Sequence, residues 1–275
     1  MRQTIWVIGG DERSHWAARA LVSARFSVFT HDVPQEPTTP LPEDIPIAVL
    51  PFPSLQGESI RGHDPLAISE LLRCLSRGSS VFGGLFGQMK GAFSDRGAAV
   101  YDLYGTEPLT TENACLTAEG ALELAMERSP LSLHGARCLV IGYGRIGKCL
   151  ARKLSALSSD VTVAARKESD LALAEAMGFQ TDRTGIYLHG LSAYDFIFNT
   201  VPAQVLTDIH LRQIPPDTLL MDLASRPGGF SPLRCQELAL NFCIAPGLPG
   251  RCCPKSAGIA YARSIISILD QEGAV

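Results

Sequence analysis

Short apolar runs recur along the chain, and the stretches between them place apolar residues at helical spacing. In the first half, Thr4-Ile5-Trp6-Val7-Ile8, Phe26-Ser27-Val28-Phe29, Ile47-Ala48-Val49-Leu50, Ser80-Val81-Phe82 and Ala98-Ala99-Val100-Tyr101 read as strands. Residues 16–24 and 66–77 read as helices between them. Thr117 is placed to N-cap a helix over 118–127, with Glu119 in its first turn, and this helix would bridge two domains. The second half repeats the pattern. Strand-like runs at 138–141, 161–165, 195–198, 219–222 and 242–245 alternate with helical segments, and residues 257–270 read as a terminal helix with an apolar face. Such alternation predicts an α/β fold, with parallel sheets covered on both faces. The expected division is a Rossmann-like domain over 1–116 and a second over 117–256, with 257–275 returning to the first.

The most informative stretch is Cys138-Leu139-Val140-Ile141-Gly142-Tyr143-Gly144-Arg145-Ile146-Gly147. A buried strand empties into GxGxxG, an amphipathic helix follows, and Val161-Thr162-Val163-Ala164-Ala165 closes the unit. This is the order that a dinucleotide requires. Gly142 permits the tight turn, Gly144 lets backbone approach the pyrophosphate, and Gly147 lets helix pack on strand. Arg145 and Ile146 begin the helix whose N–H groups would meet the phosphates, and Tyr143 lies within the turn. The next strand ends in Arg166-Lys167, 24 residues past Gly142, with no acid at its tip. A carboxylate there would bind a ribose 2′-OH, whereas a guanidinium grips a 2′-phosphate, so the expected cofactor is NADP.

Composition narrows the rest. The 275 residues carry a formal net charge of -4 and no lysine-rich run, which argues against nucleic acid. No run approaches the length of a membrane span, and no signal-peptide pattern opens the chain. The eight cysteines form no CxxC and the six histidines no ligand spacing, so reduced thiols in a cytoplasmic protein without a metal are expected.

In open α/β sheets ligands bind beyond the carboxyl ends of the strands. Three such ends carry small, polar and turn residues, at Asn199-Thr200-Val201-Pro202, at Asp222 through Ser225-Arg226 to Gly229, and at 245–250, with Lys255-Ser256 just beyond. Thr200, Val201 and Pro202 are candidates to flank the nicotinamide ribose. Arg13, Ser225, Arg226, Lys255 and Ser256 are candidate holders of an anionic substrate. Glu119 and Asp222 are the carboxylates considered for proton transfer, with a helix-dipole role for the first and a strand-end hydrogen bond for the second ranked slightly ahead of it. His15 is a weaker base candidate.

Taken together, VIGGDER (7–13), TAEGA (117–121), VIGYGRIG (140–147), VAARK (163–167), NTVPA (199–203), DLASRPGG (222–229) and APGLPGRCCPKSAG (245–258) resemble the dipicolinate synthase A-subunit family over nearly the whole chain. That resemblance implies a formate/glycerate-dehydrogenase-like pair of Rossmann domains. It also implies NADP-linked oxidation of dihydrodipicolinate, the B-subunit of dipicolinate synthase as partner, and a place in the mother cell of a sporulating bacterium. A homo-oligomer is the default expectation for such folds. The chain departs from the pattern at Cys252-Cys253 and at Asn113-Ala114-Cys115-Leu116. Two rival readings are another NADP oxidoreductase acting on a hydroxy acid or shikimate-type substrate, and a non-catalytic NADP sensor.

Overall fold

Within each of the two main sheets every strand pairs parallel with its neighbours. The structure, a computed structural model, describes residues 3–183 and 190–273. Unit 1 comprises Met1–Asn113 and Cys253–Val275, and unit 2 comprises Ala114–Cys252.

Unit 1 runs β1 (Thr4–Ile8), α1 (Glu12–Ser23), β2 (Ser27–His31), β3 (Ile45–Val49), β4 (Leu55–Gln56), β5 (Ser59–Ile60), β6 (Leu66–Ala67), α2 (Ile68–Cys74), β7 (Leu75–Gly83), α3 (Lys90–Asp95) and β8 (Ala99–Asp102). Its five-stranded sheet has the order β2-β1-β3-β7-β8, and β4, β5 and β6 form a small antiparallel sheet of their own. The helix α4 (Glu107–Arg128) carries the chain into unit 2.

Unit 2 continues with β9 (Arg137–Ile141), α5 (Arg145–Ala156), β10 (Asp160–Ala165), α6 (Glu168–Ala176), β11 (Gln180–Arg183), β12 (Phe196–Asn199), α7 (Asp208–Leu211), β13 (Leu219–Asp222), α8 (Pro232–Glu237), β14 (Phe242–Ile244) and α9 (Leu248–Cys252). Its sheet order is β11-β10-β9-β12-β13-β14, the doubly wound dinucleotide order with a switch point between β9 and β12. Side chains alternate across it. Val140, Val163, Phe196 and Phe198 pack with α4 and α5 on one face, while Leu139, Ile141, Ile197 and Leu220 pack with Leu206, Leu211 and Phe230 on the other. The last helix, α10 (Pro254–Gln271), belongs to unit 1 and packs on α1. A Cβ at Gly258 would collide with the Arg13 carbonyl, so only glycine allows that approach.

Two expectations about elements are corrected. The helix expected from Thr117 begins at Glu107, and Thr117 lies inside it. Burial of Leu109, Ala114, Leu116 and Ala118 on its inner side outweighs the weak helix propensity of Thr110, Thr111 and Asn113. The helix expected over 66–77 is cut to Ile68–Cys74, because Leu66 pairs with Ile60 in the small sheet and Leu75 pairs with Ile45 in the main one.

Candidate functional site

The carboxyl ends of β9, β10, β12 and β13 share one edge of the unit 2 sheet, so the loops that follow them meet there. At the switch point, Gly142 adopts φ 94°, a left-handed value suited to glycine, and donates its N–H to Ala164 at 2.7 Å. A Cβ at Gly147 would run into the Gly142 carbonyl, so helix α5 can lie this close to β9 only with glycine there. Gly144 differs from both. Its φ of -76° suits any residue, and among the described residues nothing lies within 4 Å of where its Cβ would be. It is also the N-cap of α5 and makes no side-chain capping bond. Among the described residues the Gly144 position at the start of this helix is thus open, as a pyrophosphate cradle requires.

The flanks of the cradle are held in place. Thr200 donates from Oγ1 to the Ile141 carbonyl at 2.9 Å, pinning the loop after β12 against the turn. The Tyr143 ring is buried edge-on against Phe179 with Lys148 over its face, so this residue offers a cofactor backbone rather than ring. Arg166 and Lys167 are exposed at the tip of β10. Glu168, which follows them, is engaged by Arg183 from the end of β11. That pairing offsets the nearest carboxylate to the Arg166-Lys167 tip, and sequence reasoning had no means of finding Arg183, because the partnership depends on strand order.

Asp222 proves to organise a loop. It is 2% exposed and accepts from Asn199 Nδ2 at 2.8 Å, Ala224 N at 3.1 Å and Gly229 N at 2.8 Å. Asn199 in turn holds Val201 by donating to its carbonyl and accepting from its N–H. With both oxygens accepting hydrogen bonds, Asp222 sets the loops after β12 and β13. Glu119, the other candidate, pairs with Lys153 at 2.8 Å, and that hydrogen bond raises the Lys153 pKa. Ser225 and Arg226 are exposed in the loop that Asp222 holds.

The remaining candidates belong to unit 1. Arg13 is bound bidentately by Asp11, through Nε at 2.9 Å and Nη2 at 2.7 Å, and it lines a narrow cleft with Ser14, Phe52, Asn113 and Tyr261. Tyr261 is buried and donates to the Leu50 carbonyl at 2.7 Å. Lys255 lies over the Trp16 ring at 4.6 Å, one turn along α1 from Arg13, so these two cations share one end of the α1–α10 pair. Ser256 is exposed beside Lys255. His15 Nδ1 lies 2.9 Å from Glu36 Oε1. Of the cleft residues, Ser14 and Tyr261 were not singled out from sequence, Phe52 stood out only within the strand-end loop Pro51-Phe52-Pro53, and Asn113 was noted only as a departure from the family pattern.

Unit 1 also has a glycine turn after its first strand, but this one is closed. Gly10 donates to the Arg61 carbonyl at 2.7 Å, and a Cβ at Gly9 would strike that same carbonyl. The β4–β6 segment therefore fills the space a phosphate would need. The Asp11 carboxylate already caps the N-terminus of α1 by accepting from Arg13 N.

Among the described residues no group of three or more His, Cys, Asp or Glu could hold a metal, and no helix is long and apolar enough to cross a membrane.

Comparison with known proteins defines the class first. The model of the D-isomer specific 2-hydroxyacid dehydrogenase NAD binding domain matches residues 116–214. In sheet order and in the glycine turn, unit 2 is similar to the NAD-binding domains of the dehydrogenase class. The particular likeness is to the A-subunit of dipicolinate synthase. The chain is 34% identical to that protein of Bacillus subtilis (strain 168) over 167 residues, which span 61% of this chain and only 56% of the relative. The crystal structure of the dipicolinate synthase A-subunit from Bacillus subtilis superposes with a TM-score of 0.87 at 26% identity, covering 100% of this chain and 98% of that one. Its counterpart from Bacillus halodurans gives 0.85 at 24% identity, covering 97% of each chain. A transhydrogenase from Sinorhizobium meliloti, at 14% identity and a TM-score of 0.70 over 98% of this chain and 93% of its own, shares the fold. The resemblance read from the motifs is thus met in both sequence and structure.

Proposed function

We propose that this chain is the dehydrogenase subunit of a dipicolinate-forming enzyme and oxidises dihydrodipicolinate to dipicolinate with NADP. The observation that carries the reading is the open Gly144 position at the uncapped start of α5, at the switch point of a dinucleotide-ordered sheet. The whole-length likeness to a dipicolinate synthase A-subunit supports the choice of substrate.

In this reading Gly142, Gly144, Arg145, Ile146 and Gly147 hold the pyrophosphate, and Arg166 and Lys167 take the 2′-phosphate. Thr200, Val201 and Pro202 flank the nicotinamide ribose. The chemistry supplied by the cofactor is acceptance of a hydride. Removing hydride and a proton makes the substrate ring aromatic, so the protein chiefly has to align it. The candidate carboxylate holders are Arg13, Lys255 and Ser256 in unit 1 and Ser225 and Arg226 in unit 2, and each set is tested separately. The ring proton goes to Glu119, to Asp222 or to water, and substitution of each carboxylate distinguishes them. A B-subunit partner and a cytoplasmic site in a sporulating mother cell follow from the family resemblance, and a homo-oligomeric state from the default for such folds.

The test is NADPH formation from dihydrodipicolinate by the purified chain, alone and with the B-subunit. Turnover is expected, with NADP favoured over NAD, and Arg166→Asp should reverse that preference. Absence of turnover in both arms would overturn the reading. A second reading, a 2-hydroxy-acid dehydrogenase, draws on the matched NAD-binding family model, and it would instead show NADPH formation with a panel of hydroxy acids.

A further inference from the structure

Two of the eight thiols face each other. Cys115 Sγ on α4 and Cys149 Sγ on α5 lie 3.1 Å apart, each partly buried. One turn further along both helices, Glu119 pairs with Lys153 at 2.8 Å. Contacts 115–149 and 119–153 advance four residues together, so α4 and α5 run side by side in the same direction and these pairs are successive rungs between them. The ion pair holds the helices in the register that keeps the two sulfurs together. Cys115 is the second residue of unit 2, just past the point where the chain enters it, and Cys149 lies one turn into the helix whose start forms the phosphate cradle.

We propose that Cys115 and Cys149 form a reversible disulfide that braces the cofactor helix α5 against α4. The chemistry requires an oxidant such as hydrogen peroxide. One thiol attacks the peroxide to give a sulfenic acid and water. The second thiol then displaces the sulfenic oxygen as another water, leaving the S–S bond, so two thiols and one peroxide become one disulfide and two waters. Burial, with the Cys115 thiol beside it, pushes the Cys149 thiol up to about 11. Cys138 and Cys235 are buried at 0% exposure, out of reach of an oxidant in solution. The inference stands apart from the choice of substrate and needs no bound cofactor.

Peptide mapping tests it on the full chain. Trypsin places Cys115 alone among cysteines in residues 97–128 and Cys149 in residues 149–152. After graded peroxide treatment, quenching with an alkylating agent and non-reducing digestion, these two peptides should appear as one cross-linked species that dithiothreitol separates. Cys115→Ser and Cys149→Ser should each abolish it. The oxidised wild type should unfold roughly 5 °C or more above the reduced protein, because the bond closes a loop of 34 residues. Independent alkylation of both thiols at doses that oxidise Cys252 and Cys253 would overturn the proposal. So would irreversible sulfonic acid at Cys115, or a bond from either residue to a different cysteine.

Discussion

Gly144 separates folding from binding at a single residue. Gly142 and Gly147 are glycines for the fold, one because of its left-handed dihedral and the other because of helix contact. Gly144 is needed for neither, since its backbone is extended and open space lies where a side chain would go. Gly144→Val should therefore leave stability within about 0.5 kcal/mol of wild type, while filling the phosphate cradle and lowering dinucleotide affinity at least about ten-fold. Thermal melts and calorimetric titration of the same variant check both halves. Asp11 gives a second residue-level prediction. Burial raises its pKa, but hydrogen bonds and charge from Arg13 outweigh burial and hold it below the ordinary 3.8. A depressed carboxylate stabilises the fold above its unfolded value and loses that contribution as the pH falls through the folded value. Asp11→Asn keeps a competent N-cap, so it should be less stable than wild type near pH ~6, with the gap closing as the pH falls through the lowered folded value, in denaturant titrations across that range. The glycine turn was legible because its requirements are local. The work of Asp222 was not, because Asn199 becomes its partner only when β12 pairs with β13.

The order of elements could be read from the alternation of apolar runs, since buried parallel strands announce themselves by continuous hydrophobicity. Boundaries that tertiary pairing decides could not. β4, β5 and β6 are two residues each, too short for any period to show, yet they close the first glycine turn of unit 1. Likewise, Thr117-Ala118-Glu119 looks like a helix start, but α4 arrives there already formed because packing extends it back to Glu107. That correction changes what Glu119 can be. A residue in mid-helix, tied to Lys153 on α5, joins two elements and has no first-turn dipole role. Both side chains are partly exposed, and ion pairs of this kind contribute at most about 1 kcal/mol. Glu119→Gln should thus destabilise unit 2 by less than about 1 kcal/mol and leave turnover within about two-fold, whereas loss of a general acid or base would lower it about a hundred-fold or more. Steady-state kinetics on the purified variant separate the two outcomes.

At the scale of the molecule, the chain contains two doubly wound parallel sheets, each with a glycine turn after its first strand, and the two turns have opposite fates. After β9 the turn opens on Gly144 and an uncapped helix. After β1 the same position is taken by the Arg61 carbonyl, and the helix start is neutralised by the chain's own Asp11. A phosphate arriving there would have to displace the Gly10–Arg61 hydrogen bond and would meet a carboxylate where the cradle of unit 2 offers open space. The sequence pattern alone permits two dinucleotides per chain; the packing of the β4–β6 segment permits one. Calorimetric titration with NADP should give one site per polypeptide, and Gly144→Val should remove it. Saturating NADP at about a hundred times its Kd should stabilise the wild-type chain by roughly 2.7 kcal/mol, and should stabilise the Gly144→Val chain far less. A second equivalent of NADP bound, or a single site that persists in Gly144→Val, would place the cofactor in the wrong unit. Either result would give unit 1 a nucleotide-binding site of its own.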